Sequence, residues 1–353
     1  MTIAFYAPLK APGHPVPSGD RAMARALLSA LAYGGYAVEC ASDLRLFDGK
    51  GDTDTQDALS KKAAAEAQDI IDRAPDWQLW LTYHNYYKAP DLIGPRVSGA
   101  LNIPYLQIES TRARKRLAGP WARFATAAEA ASDAAHTILY FTERDAETLR
   151  RDAPKGQVLT HLPPFLDCAD VPAPSDLSGP LLTVAMMRKG DKTASYTLLA
   201  EALTRVPDSV PWRLDIAGDG ENAPEIKDLF APFGDRIAFL GALDANALAD
   251  KYAHARALVW PGVNEAFGMV YLEAQAAGVP VIAQDRPAIR EIIATDQPSP
   301  AGGPAALAAR IAEIWSSDTA ARDAATAGRR SIVQTHLRPH ATATLSAAIE
   351  AAL

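Results

Sequence analysis

Cysteine is nearly missing from this chain: Cys40 and Cys168 are the only two in 353 residues. Far apart in sequence, they cannot build a disulfide framework or a zinc site by themselves, and a reducing cytoplasm is the expected setting. Long apolar runs are missing too. The amino-terminal MTIAFYAPLK has no basic segment leading into an apolar core, and no run reaches the roughly 18 apolar residues that a membrane span needs. Neither secretion nor membrane spanning is therefore expected. Basic charge is also short, since 35 Lys and Arg against 42 Asp and Glu leave a formal net charge of −7. Nucleic acid is not an expected partner, and a phosphorylated ligand would need a local cationic pocket.

What remains is a chain with 48% hydrophobic and 22% charged residues, long enough for about two globular domains. Short apolar runs alternate with helical patterns from the start. Ile3–Ala7, Ala37–Cys40, Leu79–Tyr83, Tyr105–Ile108, Thr137–Phe141 and Val158–His161 read as strands, with helix-compatible segments between most of them. Such unbroken apolar runs predict parallel sheets covered on both faces. Prolines crowd 162–180, and a second series follows at Leu181–Ala185, Arg213–Ala217, Ile237–Leu240, Ala257–Trp260 and Val281–Ala283. The expected division is an amino-terminal Rossmann-like domain over 1–166, a proline-rich linker over 167–180 and a carboxyl-terminal Rossmann-like domain over 181–335. A last helix over 336–353 is expected to pack back toward the amino-terminal domain.

In open α/β sheets ligands collect beyond the carboxyl ends of strands, where helix amino ends present free N–H groups. One such place is Ser18-Gly19-Asp20-Arg21. Gly19 would let a phosphate approach the backbone; simple capping by Ser18 or Asp20 explains the same residues. Another is Arg188-Lys189-Gly190-Asp191-Lys192, where the cations either hold a diphosphate or line a solvated loop. The third runs from Trp260 to Val281. Here a strand ends in Pro261-Gly262, Glu265 follows in the loop, a helix opens at Phe267-Gly268, and Glu273 lies inside that helix. Singly, Glu265 reads as a capping residue and Glu273 as a solvated one. Together they place two carboxylates beside a helix amino end, able to accept paired sugar hydroxyls while the amides receive a phosphate.

The segment from Glu265 to Ala283 resembles the donor-site signature of retaining GT-B glycosyltransferases of family 4. Val184–Lys192, Leu214–Gly220 and Ile237–Gly241 follow the same family's order. The resemblance implies an α/β protein of GT-B architecture, with two doubly wound domains facing across a cleft. It implies retaining transfer of a hexose-type sugar from a nucleotide-diphosphate sugar to an acceptor hydroxyl, with the donor as substrate and neither metal nor cofactor. Glu273 would bind the donor ribose and Glu265 the transferred sugar. Amides at Phe267, Gly268 and Met269 would face the sugar and diphosphate, Arg188 and Lys192 would neutralise the leaving phosphate, and Gly19 would close on it from the other domain. Gly218, Gly220 and Leu240 would approach the nucleobase. The chain departs from many relatives in carrying Pro261-Gly262 before the motif and in the closer Arg188–Lys192 spacing, so Lys189 competes for either cationic role.

On the acceptor side His84, at the end of a strand, is expected to orient an acceptor hydroxyl or the donor sugar, or else to be satisfied by a backbone group. Glu109 ends the next strand, as an acceptor contact or a helix cap. The basic run Arg112–Arg116, with Trp121 beyond it, suits a lipid-linked acceptor and peripheral contact with the inner membrane, or a solvated loop. A glycan or lipid-linked acceptor and a cytoplasmic or membrane-peripheral location are the expectations. Asp52-Thr53-Asp54 spells a metal-binding D-x-D, but in a polar, glycine-rich stretch that reads as solvated. The rival readings are a nucleotide-sugar epimerase of similar architecture and a non-catalytic sugar- or nucleotide-binding protein.

Overall fold

The central apolar runs of the first half become strands because their side chains are covered on both faces, whereas the edge runs Ala37–Ser42 and Val158–His161 stay largely open to solvent. In this computed structural model, which describes residues 1–16, 18–266 and 268–353, Leu79–Tyr83 is buried at every position. A strand that buries both faces can pair only inside a helix-covered sheet, and among the described residues every pair of these strands is parallel.

One unit comprises Met1–Pro163 with Arg338–Leu353. It runs β1 (Thr2–Tyr6), α1 (Gly19–Tyr33), β2 (Ala37–Ser42), α2 (Thr53–Arg73), β3 (Leu79–Tyr83), α3 (Gly94–Leu101), β4 (Tyr105–Ile108), α4 (Ala122–Ala134), β5 (Thr137–Tyr140), α5 (Glu143–Asp152) and β6 (Val158–His161). The strand order is β2-β1-β3-β4-β5-β6, so the direction of winding reverses between β1 and β3. Ser18 caps α1, its hydroxyl accepting from the Arg21 amide at 3.3 Å. Asp52 caps α2 through the Thr55 amide at 2.8 Å. The D-x-D triplet is exposed to solvent, as expected, and forms a helix start rather than a loop. The helical Ala-rich tail forms a helix over Arg338–Ala352 that belongs to this unit, with the Thr342 hydroxyl bonded to the Ala30 carbonyl of α1 at 2.9 Å.

The other unit, Pro164–Leu337, runs β7 (Leu181–Val184), α6 (Asp191–Leu203), β8 (Leu214–Ala217), α7 (Ala223–Phe230), β9 (Ile237–Gly241), α8 (Ala245–His254), β10 (Ala257–Val259), α9 (Met269–Ala276), β11 (Val281–Ile282), α10 (Pro287–Arg290), α11 (Gly303–Ser316) and α12 (Asp318–Thr335). Its strand order is β11-β10-β7-β8-β9, and winding reverses between β7 and β10. The proline-rich stretch expected as a linker lies along this unit. The Ser175 amide donates to the Ala277 carbonyl at 2.7 Å and its hydroxyl to that of Ala255 at 3.0 Å, while the His336 ring bonds the Pro164 carbonyl at 2.7 Å. Among the described residues no helix is long and apolar enough to cross a membrane.

The loop after β8 is laced to its neighbours mainly by backbone, with the Asn222 side chain donating to the Thr193 hydroxyl at 2.8 Å. Gly218 donates to the Gly241 carbonyl at 2.7 Å, and the Met187 amide donates to the Asp219 carbonyl at 2.9 Å. A Cβ on Gly218, whose φ is +141°, would stand 1.9 Å from the Ala185 carbonyl oxygen. Close backbone approach therefore accounts for this glycine whatever it does to a ligand. Gly218→Ala should cost roughly 2–4 kcal/mol and lower the melting temperature by at least about 5 °C. Gly19→Ala, where a Cβ meets no atom within 4 Å, should leave it unchanged; thermal melts of both variants check the contrast.

Candidate functional site

In both sheets the reversal of winding separates the loops of two adjacent strands and leaves room at their carboxyl ends. In the carboxyl-terminal unit this place lies between the loop after β7 and the loop after β10. Lys192, in the first turn of α6, sets its Nζ 2.6 Å from Oε2 of Glu265. The Trp260 indole N–H donates to the same oxygen at 3.1 Å, and Nζ lies 5.3 Å from the centre of the Trp260 ring. Two further bonds tie the loops together: Asn264 Nδ2 to Asp191 Oδ1 at 2.9 Å, and the Val263 amide to the Ser195 hydroxyl at 2.9 Å.

Beyond Glu265 the chain enters α9 through Gly268, at φ +66° and with no side chain capping the helix. A Cβ at Gly268 would come within 2.7 Å of the Tyr271 ring and 3.0 Å of Glu265 Cγ, so only glycine brings the helix start this close to the carboxylate. The uncapped first turn, which Met269 opens, leaves amides for an anion. Phe267, expected to contribute another amide, lies outside the described residues. Glu273 is half-buried in α9 and accepts from the Tyr252 hydroxyl at 3.2 Å. Burial raises its carboxyl above the usual range, against the lowering effect of that hydrogen bond. The reading of Glu273 as an ordinary solvated helix residue thus fails, because its carboxylate is drawn inside and keyed to α8.

The other expected residues sit around this core. Arg188 is exposed, and among the described residues it makes no ion pair. Leu240 is half-buried in β9, and Gly220, like Gly218, is packed against backbone, with a Cβ there reaching 2.3 Å from the Met187 carbonyl oxygen.

In the amino-terminal unit the reversal falls between β1 and β3. The loop after β1 delivers Asp20 at the start of α1, and β3 ends at His84, whose Nδ1 lies 3.0 Å from Asp20 Oδ1 and 3.7 Å from Glu109 Oε2. His84 (φ +66°) and Glu109 (φ +56°) both hold left-handed backbone, an arrangement that costs energy for residues with a Cβ and collects at functional sites. His84 is therefore held by carboxylates, not by a backbone carbonyl. Burial pushes its imidazolium pKa down, but the charge of Glu109 and the hydrogen bond and charge of Asp20 outweigh this and hold it above the ordinary value. Burial likewise pushes Asp20 up, and the His84 contact outweighs it, leaving Asp20 below the usual range. For Glu109 burial wins over the charge of His84, and its pKa is raised.

The basic run divides: Arg114 and Lys115 are exposed, as a solvated loop would have them, whereas Arg112 and Arg116 are drawn inward. Arg112 is buried and paired with Glu129 at 3.0 Å and Asp133 at 2.7 Å, and Arg114 is paired with Asp152 at 3.2 Å. Sequence reasoning missed Trp260, Tyr252 and the pairing of Asp20 with His84. Trp260 ends the strand that introduces the motif and was within reach of inspection. The partners of His84 and Glu273 are brought by other elements of the sheet and left no local mark.

Residues 180–317 match the family model described as "Glycosyl transferases group 1". This carboxyl-terminal stretch of the chain is therefore similar to the group 1 glycosyl transferases. A sulfoquinovosyl transferase of Arabidopsis thaliana is 32% identical over 108 residues, 31% of this chain and 20% of that protein. A D-inositol 3-phosphate glycosyltransferase of Geodermatophilus obscurus is 43% identical over 70 residues, 19% of this chain and 16% of that protein. The matched stretches thus span a fifth or less of these relatives' lengths. Among solved structures, a sucrose-phosphate synthase from Thermosynechococcus elongatus superimposes with a TM-score of 0.74 at 19% identity, over 99% of this chain and 98% of that one. Anabaena HepE in complex with UDP-glucose gives 0.69 at 15% identity, over 99% and 100%. Over nearly its whole length the chain thus shares the α/β, GT-B fold of these structures.

The raised pKa of His84 is directly measurable. In an NMR titration it should lie above the ordinary value of about 6.5, and Asp20→Asn should lower it. The charged imidazolium then adds stability that is complete below about pH 6.5 and is lost as pH rises through the folded-state pKa; the depressed Asp20 adds stability above about pH 4 that is lost on acidification. An unshifted His84, or one indifferent to Asp20→Asn, would contradict the geometry.

Proposed function

We propose that this protein is a retaining, metal-independent glycosyltransferase that moves a hexose-type sugar from a nucleotide-diphosphate sugar to an acceptor hydroxyl. The observation that carries the reading is the meeting of Lys192, Glu265 and the uncapped start of α9 at the reversal point between β7 and β10, inside the stretch that matches the group 1 family. The names of the similar proteins, which include a sulfoquinovosyl transferase and a lipopolysaccharide outer core galactosyltransferase, support a glycan or glycolipid acceptor; a cytoplasmic, membrane-peripheral setting is part of the same proposal.

In this reading the amides of α9 and the free guanidinium of Arg188 receive the diphosphate, while Glu273 accepts the ribose hydroxyls and the loop from Gly218 to Gly220, with Leu240, faces the nucleobase. Gly19, open above its backbone, leaves its amide available to a phosphate. Lys192 is shared. With no donor bound it neutralises Glu265; as the bond between the anomeric carbon and the phosphate oxygen breaks, negative charge grows on the phosphate and Lys192 turns to it. Glu265 is then released to accept hydroxyls of the transferred sugar. The acceptor oxygen bonds to the anomeric carbon on the face the phosphate leaves, and its proton passes to the leaving phosphate oxygen, so no strong protein base is needed. His84, charged and fixed by Asp20, orients a hydroxyl.

Lys192→Ala should reduce transfer by about 10²–10³-fold with the melting temperature preserved. Glu273→Ala should instead weaken nucleotide binding about tenfold. A thermal-shift series with UDP, GDP, ADP and their sugars identifies the donor, because a ligand of the native state alone raises the melting temperature. Wild-type turnover in both variants would sink the assignment.

A further inference from the structure

The loop after β3 carries more than His84. Its buried Asn85 donates to the Ala128 carbonyl and the Ser132 hydroxyl, each at 3.0 Å, and the Asp91 amide donates back to Asn85 Oδ1 at 2.9 Å. Both ends of the loop are thus pinned, and between them Tyr86, Tyr87 and Lys88 are held half-exposed. The rings form a continuous path: His84 to Tyr86 at 4.8 Å between centres, Tyr86 to Tyr87 at 5.6 Å, and Tyr87 to Trp121 at 5.8 Å. Trp121 is itself fixed, its indole N–H donating to the Asp48 carbonyl at 3.1 Å.

Two cations share the far end of that path. Lys88 Nζ stands 5.7 Å from the Tyr87 ring centre and 5.5 Å from that of Trp121; the Arg116 guanidinium stands 5.1 Å and 5.2 Å from the same two centres. Ring faces hold a cation without neutralising it. Among the described residues neither cation has a carboxylate within ion-pairing distance, and Arg116 Nε is buried with no hydrogen-bond partner. The neighbouring Asp48 carboxylate is already taken by the amides of Lys50, Gly51 and Asp52 and by Gln56. Bringing two like charges onto one pair of rings is unfavourable by itself, and an oxyanion between them would relieve it.

We propose that Lys88 and Arg116, seated on Tyr87 and Trp121, form an oxyanion subsite that recognises a phosphate or carboxylate on the acceptor. The word acceptor rests on the transferase reading; the anion site itself does not. Complementarity runs along the ring path, with hydroxyl-accepting carboxylates Asp20 and Glu109 around His84 at one end and unneutralised cations at the other. A sugar or polyol that carries one anionic group matches both ends.

The test follows indole N–H resonances of the full chain by NMR during titration with myo-inositol 1-phosphate, glucuronic acid and uncharged myo-inositol, with Trp121 assigned through Trp121→Phe. At least one anionic probe should shift Trp121 and leave Trp260, the reporter of the other unit's site, in place, whereas myo-inositol should move neither. A response to the phosphate alone identifies a phosphate ester as the natural group, and a response to glucuronic acid a carboxylate. Lys88→Gln with Arg116→Gln should weaken binding at least tenfold, and Arg116→Lys should keep most of it, which separates lost charge from lost fold. No shift with either anion, equal shifts with the uncharged polyol, or full binding by the doubly neutralised variant would overturn the subsite. Transfer is not needed for this readout. Anion binding without any turnover would count against the transferase reading alone, and turnover without anion binding against the subsite alone.

Discussion

Parallel pairing is the constraint from which the rest of this structure follows. When all strands of a sheet run the same way, every carboxyl end, every following loop and every helix amino end falls on one side. Winding then reverses once in each sheet, between β1 and β3 and between β7 and β10. Each reversal collects residues that lie far apart in the chain: Asp20 with His84 in one sheet, Lys192 with Glu265 in the other. Chemistry at these points needs no dedicated scaffold beyond the buried apolar strands that force the pairing.

The two collections differ in charge and therefore in use. Around His84 two carboxylates face one imidazole, a setting that favours its protonated form. At Lys192 the cation, the indole of Trp260 and the uncapped α9 surround a single carboxylate, which the proposed donor phosphate would displace. An overall charge of −7 gave no hint of such a site, because the cations that matter are few and the helix amides carry no formal charge. Local arrangement decides what an acidic protein can bind.

The alternation of strands and helices was legible because strands buried on both faces cannot hide their apolar runs, and the Glu265–Glu273 element because both carboxylates lie on one continuous segment. Long-range partners were not. Tyr252 reaches Glu273 from α8, and Asp20 reaches His84 from the loop after β1; neither contact leaves a spacing to read. Polarity misled in two places. Asp52-Thr53-Asp54 is solvated as it looked, but it opens a helix rather than a loop, Asp52 accepting from the Thr55 amide at the start of α2. The Arg112–Arg116 run looked like one patch, but its members go separate ways: Arg112 inward to Glu129 and Asp133, Arg114 to Asp152, and Arg116 onto aromatic rings. Like charges in sequence need not share an environment, since each side chain answers to the element packed beside it.

The central claim is that the reversal point between β7 and β10 receives a nucleotide-diphosphate sugar. Hydrogen exchange of the full chain, with and without saturating UDP-, GDP- or ADP-glucose, tests it most directly. One of these donors should slow exchange in the segments 188–192 and 262–276 together, because the diphosphate occupies the amides of both helix starts. Protection confined to other segments, or none with any of the donors, would contradict the account.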